Sequence, residues 1–423
     1  MKKTLSLLLC LLTATAALLS CFSAYADSED YFSDEQIAYY QNLGLEGTTI
    51  NVYNWGEYIS DGSDDLMDVV GEFEELTGIH VNYTNFESNE NMYSKLTGGG
   101  VSYDVIVPSD YMIERLIDEE LLLKLDYNNI PNFDKYICDD CRNLFFDPNQ
   151  EYSVCFNVNY SALIYNTALV DEAPDSWEVL WDPQYKGKVL MFNNSRDAFA
   201  IAQAVLGQDF NTTSEQDWVD AAQLLAEQKD ATEPVYVMDE VFNLMESGEY
   251  AFASYYSGDY MLMIENNEDL DFCFPKEGVN KFYDAFCIPT CAQNKAGAEA
   301  FINFMMEPEV AFDNAEFIYY GSPNKAVRYN EESSLYGEEA VYPEEEPELQ
   351  YFHNMPQNIL ELESSLWSRV KSGQLSAESI RDEHRIYLMS AVIAAIVIVI
   401  LIVSFVRRRM KAKEQDISDL YAK

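Results

Sequence analysis

Apolar and polar positions change period along this chain, and the change marks short strands followed by amphipathic helices. TTINVYNW, ending at Trp55, predicts a strand; Leu66, Val69, Val70, Phe73 and Leu76 then recur at helical spacing. That spacing predicts a helix from Asp64 to Thr77, stopped by Gly78. HVNYTNF (80–86) reads as a strand, Ser88 to Leu96 as a helix ended by Gly98-Gly99-Gly100, and DVIVP (104–108) as a continuously apolar strand. The second half repeats the pattern. KVLMF (188–192) runs through Asn194 and Asp197 into a helix with Phe199, Ile201, Ala202 and Val205. YAFASYY (250–256) predicts a strand ending in Ser257-Gly258-Asp259-Tyr260, and LDFCFP (270–275) and KFYDAFCIP (281–289) predict two more, candidates for crossing between two bodies. A helix is expected from Lys295 to Met306, and the segment from Pro356 to Ser372 completes the body. Strand–helix–strand units imply an α/β fold with a parallel sheet, whose ligands sit beyond the carboxyl ends of strands. That rule places Trp55-Gly56-Glu57-Tyr58 and Ser109-Asp110-Tyr111 at one edge.

The 423 residues exceed what one core usually serves, so two domains are expected. Lys2 and Lys3, the apolar run from Leu5 to Leu19 and Ala24-Tyr25-Ala26 have the layout of a signal peptide over residues 1–26, followed by an extension over 27–47. Lipoprotein processing at Cys21 competes, but Leu19 is a poor fit to a lipobox and favours cleavage after Ala26. The uncharged stretch bounded by Ile386 and Val406 is long enough to span a bilayer as a helix, after a tether over 374–385. Arg407, Arg408, Arg409, Lys411 and Lys413 follow it, so the tail 407–423 is expected in the cytoplasm and the body outside, on a single-pass anchor in the cell membrane.

The chain carries a net charge of −47; its first 26 and last 17 residues are net positive, which leaves the stretch between at −52. Such a surface repels nucleic acid and attracts cations, although most of these carboxylates serve only solubility. Six cysteines lie in the body, Cys138, Cys141, Cys155, Cys273, Cys287 and Cys291, an even count compatible with disulfides or with free buried thiols. The three histidines, His80, His353 and His384, lie far apart, so no metal site or cofactor is expected.

Several strand ends repeat one chemistry. Trp55, Glu57 and Tyr58; Ser109 and Tyr111; Tyr256, Asp259 and Tyr260; and Phe282 with Asp284 set acids among aromatics, and Asp197 opens a helix. Taken singly, each residue is more often packing or solvated surface. Together they suit an organic cation with an apolar chain, its methylenes covered by rings and its ammonium groups held by carboxylates. A surface glycosidase would also need paired acids, but the chain has no G-x-S-x-G elbow, H-E-x-x-H or phosphate loop. The tail is too short for a signalling domain, which leaves a sensor or adhesin with little support.

At these residues the chain resembles the spermidine/putrescine-binding proteins of ABC transporters, over roughly residues 48–373. The resemblance rests on YNWGEY, FESNENMYSKL, YDVIVPSDY, SWEVLWDPQYKGKV, FPKEGVNKFYDAF and YYGSPNKAV, in that order. It implies a two-lobed periplasmic-binding-protein-like fold of type II, with lobe 1 over 48–157 plus 286–320 and lobe 2 over 158–285 plus 321–373. It also implies a monomeric body that closes on a polyamine, delivers it to a permease and its ATPase, and performs no catalysis. Carried over by position, the ligand residues would be Trp55, Glu57, Tyr58, Ser109, Tyr111, Asp197, Tyr256, Asp259, Phe282, Asp284 and Tyr320. Asp259 resembles the putrescine-preferring branch. Tyr256 stands where the family usually has Trp, Gly56 replaces a hydroxyl-bearing residue, and Asn194 stands where the spermidine-preferring branch has an acid. The length and charge of the ligand therefore stay open, between putrescine, spermidine and another small cationic or amino-acid-like solute.

Overall fold

The computed structural model describes residues 31–375. The expected signal peptide and membrane span lie outside them, and among the described residues no helix is long and apolar enough to cross a membrane. Its strands are β1 (Thr49–Trp55), β2 (His80–Phe86), β3 (Val105–Ile106), β4 (Ser153–Asn166), β5 (Val189–Phe192), β6 (Val235–Val237), β7 (Phe252–Tyr256), β8 (Leu270–Cys273), β9 (Val279–Cys287) and β10 (Leu349–Gln350). They follow the order β2-β1-β3-β9-β4-β7-β5-β6, with β8 added to β4 and β10 to β9. β1 lies parallel to β2 and β3, and β5 parallel to β6 and β7, whereas β4 and β9 run antiparallel to each other and to the strands beside them on this path.

This arrangement joins two hydrophobic cores through two strands. One core gathers Val52, Phe73, Ile106, Phe286 and Phe301, and the other Leu190, Phe199, Trp218, Phe252 and Trp367. β4 serves both. Its first part pairs with β9, from Ser153 opposite Cys287 to Tyr160 opposite Lys281, and Ser161 to Tyr165 then face β7.

Several elements differ from the sequence expectation, each for a local reason. The first of these helices spans Val69–Thr77 rather than starting at Asp64: Asp64 and Asp65 sit in left-handed conformations (φ 56° and 62°), and Asp68 supplies the cap by accepting from the Gly71 N–H. Ser257-Gly258-Asp259-Tyr260 opens the helix Ser257–Asn266 instead of prolonging a strand. β4, the longest strand, carries polar residues at alternate positions and has no clean apolar run to announce it. β9 crosses between the cores, while β8 pairs with β4 alone. The helix Glu215–Thr232 hides its apolar face in small residues, Ala221, Ala222 and Ala226.

From residue 31 onward the N-terminal extension packs on the first core through Phe32 and Tyr40. Glu307, nearly fully buried, holds it there: its carboxylate accepts from the Tyr40 hydroxyl at 2.7 Å, from Asn132 Nδ2 at 2.7 Å and from Gln36 Nε2 at 2.8 Å. Removing the acceptor leaves buried donors without partners. Glu307→Ala is expected to lower unfolding free energy by about 2–4 kcal/mol in urea titrations, with the helix Asp34–Gln41 becoming sensitive to proteolysis.

Candidate functional site

β1 and β3 run parallel and release the chain at the same edge. Just beyond, Trp55 Nε1 donates to the Val107 carbonyl at 2.9 Å and its ring lies against Phe86, so the indole is pinned on the rim of the first core. Tyr58 is buried. Its hydroxyl donates to Asp284 Oδ2 at 2.5 Å, and its ring meets Phe156 and Tyr320 edge-on at 5.7 and 5.6 Å. Ser109 stands at the cap of the helix Asp110–Asp118, its Oγ accepting from Asn89 Nδ2 at 3.1 Å. The same amide donates to the Tyr111 hydroxyl, which in turn donates to Glu90 at 2.9 Å. An isolated bridge pairs the Ser109 backbone with Asp284.

The second core supplies the facing residues. Asn194 caps the helix Ser195–Leu206, which sets Asp197 in its first turn, where Oδ2 accepts from the Tyr256 hydroxyl at 3.1 Å. Tyr256 ends β7 and packs on Phe192 and Phe282 at 4.9 and 5.1 Å. Asp259 lies in the first turn of Ser257–Asn266 and accepts from the Tyr320 hydroxyl at 3.0 Å. Gly258 makes that approach feasible: a Cβ there would lie 2.5 Å from the Tyr319 carbonyl oxygen and from the Tyr320 ring.

β4 and β9 form the base. Phe282 and Asp284 alternate on one face of β9, opposite Asn159 and Asn157 of β4. Asn159 Oδ1 accepts from the Ser257 hydroxyl at 2.9 Å and the Gly258 N–H at 3.2 Å, and so holds the turn that carries Asp259.

Burial dominates the electrostatics. It pushes Asp284 from 3.8 up to about 6 against the opposing hydrogen bonds of Tyr58 and Ser109. It pushes Asp197 up to about 7, with Tyr256 and Arg196 opposing. Asp259 rises to about 8, with Tyr320 opposing and Asp239 adding to the rise. Burial also drives the Tyr58, Tyr256 and Tyr320 hydroxyls well up, so they remain proton donors. Among the described residues none of the three carboxylates belongs to an ion pair. Asp284 Oδ1 is buried without any hydrogen-bond partner.

The structure thus brings Tyr58, Ser109, Tyr111, Asp197, Tyr256, Asp259, Phe282, Asp284 and Tyr320 into one linked set, with Trp55 on its rim. Glu57 is not among them: it is exposed, in a left-handed conformation (φ 48°). Asn89, Glu90, Asn157 and Asn159 are additions that sequence reading did not single out. The alternation of Asn157, Asn159 and Ser161 is the signal that could have found the last two. The six body cysteines are free thiols, and among the described residues no group of His, Cys, Asp and Glu could hold a metal.

The raised pKa values have a definite sign. Between 3.8 and its folded value each acid holds a proton in the folded protein that the unfolded chain has released. The stabilisation is therefore present at low pH and lost as pH rises through the folded pKa. The melting temperature of the empty protein is expected to fall between about pH 5 and 8. Asp259→Asn is expected to raise it at about pH 8, where the native carboxylate is the costlier group to bury. Scanning calorimetry across this window checks both.

A model of the bacterial extracellular solute-binding proteins matches residues 68–338. The spermidine/putrescine-binding periplasmic protein of Escherichia coli K12 is 33% identical over 303 residues, covering 71% of this chain and 85% of that one. The putrescine-binding periplasmic protein of the same organism is 27% identical over 353 residues, 78% of this chain and 94% of its own. Among solved structures, a spermidine/putrescine ABC transporter protein from Listeria monocytogenes superposes with a TM-score of 0.72 at 32% identity, covering 77% of this chain and 99% of that one. A substrate-binding protein of a spermidine/putrescine ABC transporter from Streptococcus pneumoniae gives 0.65 at 32% identity over 77% and 99%. The chain therefore belongs to the bacterial extracellular solute-binding proteins of ABC transporters, alongside the spermidine/putrescine-binding members; its relatives and its fold are those of solute-binding proteins, not of enzymes.

Proposed function

We propose that this protein is an extracytoplasmic receptor that takes a linear polyamine, putrescine or spermidine, between its two cores and delivers it to an ABC permease. The observation that carries this reading is the set of three buried carboxylates, Asp197, Asp259 and Asp284, none of which forms an ion pair among the described residues; Arg196 acts on Asp197 only from beyond ion-pair distance. A buried carboxylate is costly until a cation joins it. A ligand with separated ammonium groups supplies one charge per acid, and the rings of Tyr58, Tyr256, Phe282 and Tyr320 suit its methylenes. The ligands named for the relatives agree with this chemistry. The two cores act as lobes, 48–157 with 286–320 and 158–285 with 321–373, and β4 and β9 serve as the hinge between them. The apolar stretch 386–406 with its basic flank anchors the receptor in the membrane, which raises its effective concentration at the permease.

Titration calorimetry is expected to show putrescine or spermidine binding with Kd of about 10⁻⁴ M or tighter, and silence with both overturns the reading. Asp284→Asn is expected to weaken either ligand more than about tenfold, because one ammonium loses its charged partner, while the melting temperature does not fall. For the anchor, the full chain is expected in the membrane fraction and a chain ending at residue 385 in the soluble fraction. Membrane retention of the shortened chain would remove the anchor from residues 386–406.

A further inference from the structure

Behind the Tyr58–Asp284 pair lies a cavity of about 20 Å³, lined in part by Cys155, Phe156, Asn157, Met306, Asn314 and Ser322. Asn157 and Asn314 are 4% and 2% exposed; among the described residues neither Nδ2 meets a partner in good hydrogen-bond geometry, although the Asn157 side chain lies close enough to the Tyr58 hydroxyl to oppose the rise in its pKa. The lining is mostly apolar with these amides among its few polar groups; a space of this volume accommodates a single water, and buried amide donors require an acceptor.

Both amides bear on the same short stretch of chain. Asn314 Oδ1 accepts from the Ser60 N–H at 2.9 Å. Asn157 stands beside the Tyr58 hydroxyl and directly opposite Asp284 across the β4–β9 ladder. That position depends on an irregularity: the ladder skips Phe156 between Cys155 and Asn157. Without the skipped residue, the alternation of side chains would turn the amide to the other face of the sheet.

We propose that this cavity holds one ordered water accepting from Asn157 and Asn314, and that Asn157, held in this way, is a positioning residue. It keeps the Tyr58 hydroxyl on Asp284 Oδ2 and leaves Oδ1 for the ammonium group of the ligand. The inference rests on the cation-binding reading of the site and adds a control behind it. The ionisable groups facing the pair are Asp110, Cys155, Tyr320 and Asp259. None of these four donates to Asp284; its donors are Tyr58 within the pair and Ser109.

The test combines a crystal structure of the wild-type body, refined with ordered solvent, with putrescine titrations over a range of pH on Asn157→Leu and Asn314→Leu. A solvent peak within hydrogen-bond distance of both Nδ2 atoms is expected. Asn157→Leu is expected to weaken putrescine by roughly tenfold, the scale of one lost hydrogen bond to a charged group, and Asn314→Leu by about threefold. In both variants the acid limb of the binding profile moves to higher pH, because Asp284 loses the proton donor that holds its pKa down. An empty cavity in the wild type overturns the water, and lost affinity with an unmoved acid limb overturns the positioning role. Unchanged affinity in Asn157→Leu overturns that role as well. If Asn157→Leu does not fold, the solvent peak and Asn314→Leu decide between these outcomes. Failure of the wild type itself to bind putrescine would refute the cation-binding reading, while the solvent peak judges the cavity separately.

Discussion

Three carboxylates held out of water without a basic side chain in contact are the constraint on which the rest of this structure depends. Each has a tyrosine hydroxyl as donor, Tyr58 for Asp284, Tyr256 for Asp197 and Tyr320 for Asp259. A phenol lowers the cost of a buried anion without cancelling its charge, and the pKa values stay raised after these bonds are counted. Acids so placed hold protons or draw in water, and on the proposed reading both responses suit exchange of a cation with solvent. A Lys or Arg in the same place would relieve the cost permanently and leave no acid for a ligand. Stability has to come from elsewhere: most of each core lies away from the acids, although Tyr58, Phe282 and Tyr320 belong to the first, and Glu307 with Tyr40 and Asn132 is a buried acid cluster satisfied by hydrogen bonds.

The shared strands carry that logic into the geometry. β4 offers Asn157 toward Asp284 and uses Asn159 to hold the turn of Asp259, so one strand sets the positions of two acids that belong to different parts of the fold. Because β4 continues from the first core into the second, any relative motion of the cores would bend a strand that carries Asn157 and Asn159. On the proposed reading, binding and hinge motion would then share the same residues. Gly258 belongs to this arrangement, since any larger residue would push Tyr320 away from Asp259.

How much of this is legible in the sequence depends on whether a residue's role is local. Strands such as β1 and β5 and helices such as Val69–Thr77 follow from their own periodicity and caps, within a few residues at their ends. The site acids Asp197, Asp259 and Asp284 are legible too, because strand ends and helix starts are recognisable and acids beside aromatics stand out there. Glu57 differs from these acids in being exposed and in a left-handed turn, a backbone state that composition carries no trace of. β4 is obscured because Asn157, Asn159 and Ser161 point into a polar base, where an ordinary half-buried strand would present apolar residues or water-exposed ones. Its partners are more than a hundred residues away in β9, so nothing nearby in the chain explains those amides.

Tyr256 joins the two levels. The resemblance drawn from the sequence implies Trp at this position, so that Tyr256 reads as a smaller ring with an added hydroxyl. The structure gives that hydroxyl a partner, Asp197 Oδ2 at 3.1 Å, while the ring keeps its contacts with Phe192 and Phe282. An indole N–H could also donate, but its larger ring would occupy space that the phenol leaves to the ligand. The phenol favours the ionised form of Asp197 and takes one of its acceptor sites, so an ammonium arriving there meets a more acidic but less available carboxylate. Asp284 keeps a wholly unpartnered oxygen, and Asp259 resists ionisation most. The three acids are therefore unequal in their surroundings: Asp284 has an oxygen without a hydrogen-bond partner among the described residues, whereas burial raises Asp259 to about 8 against the single opposing bond of Tyr320.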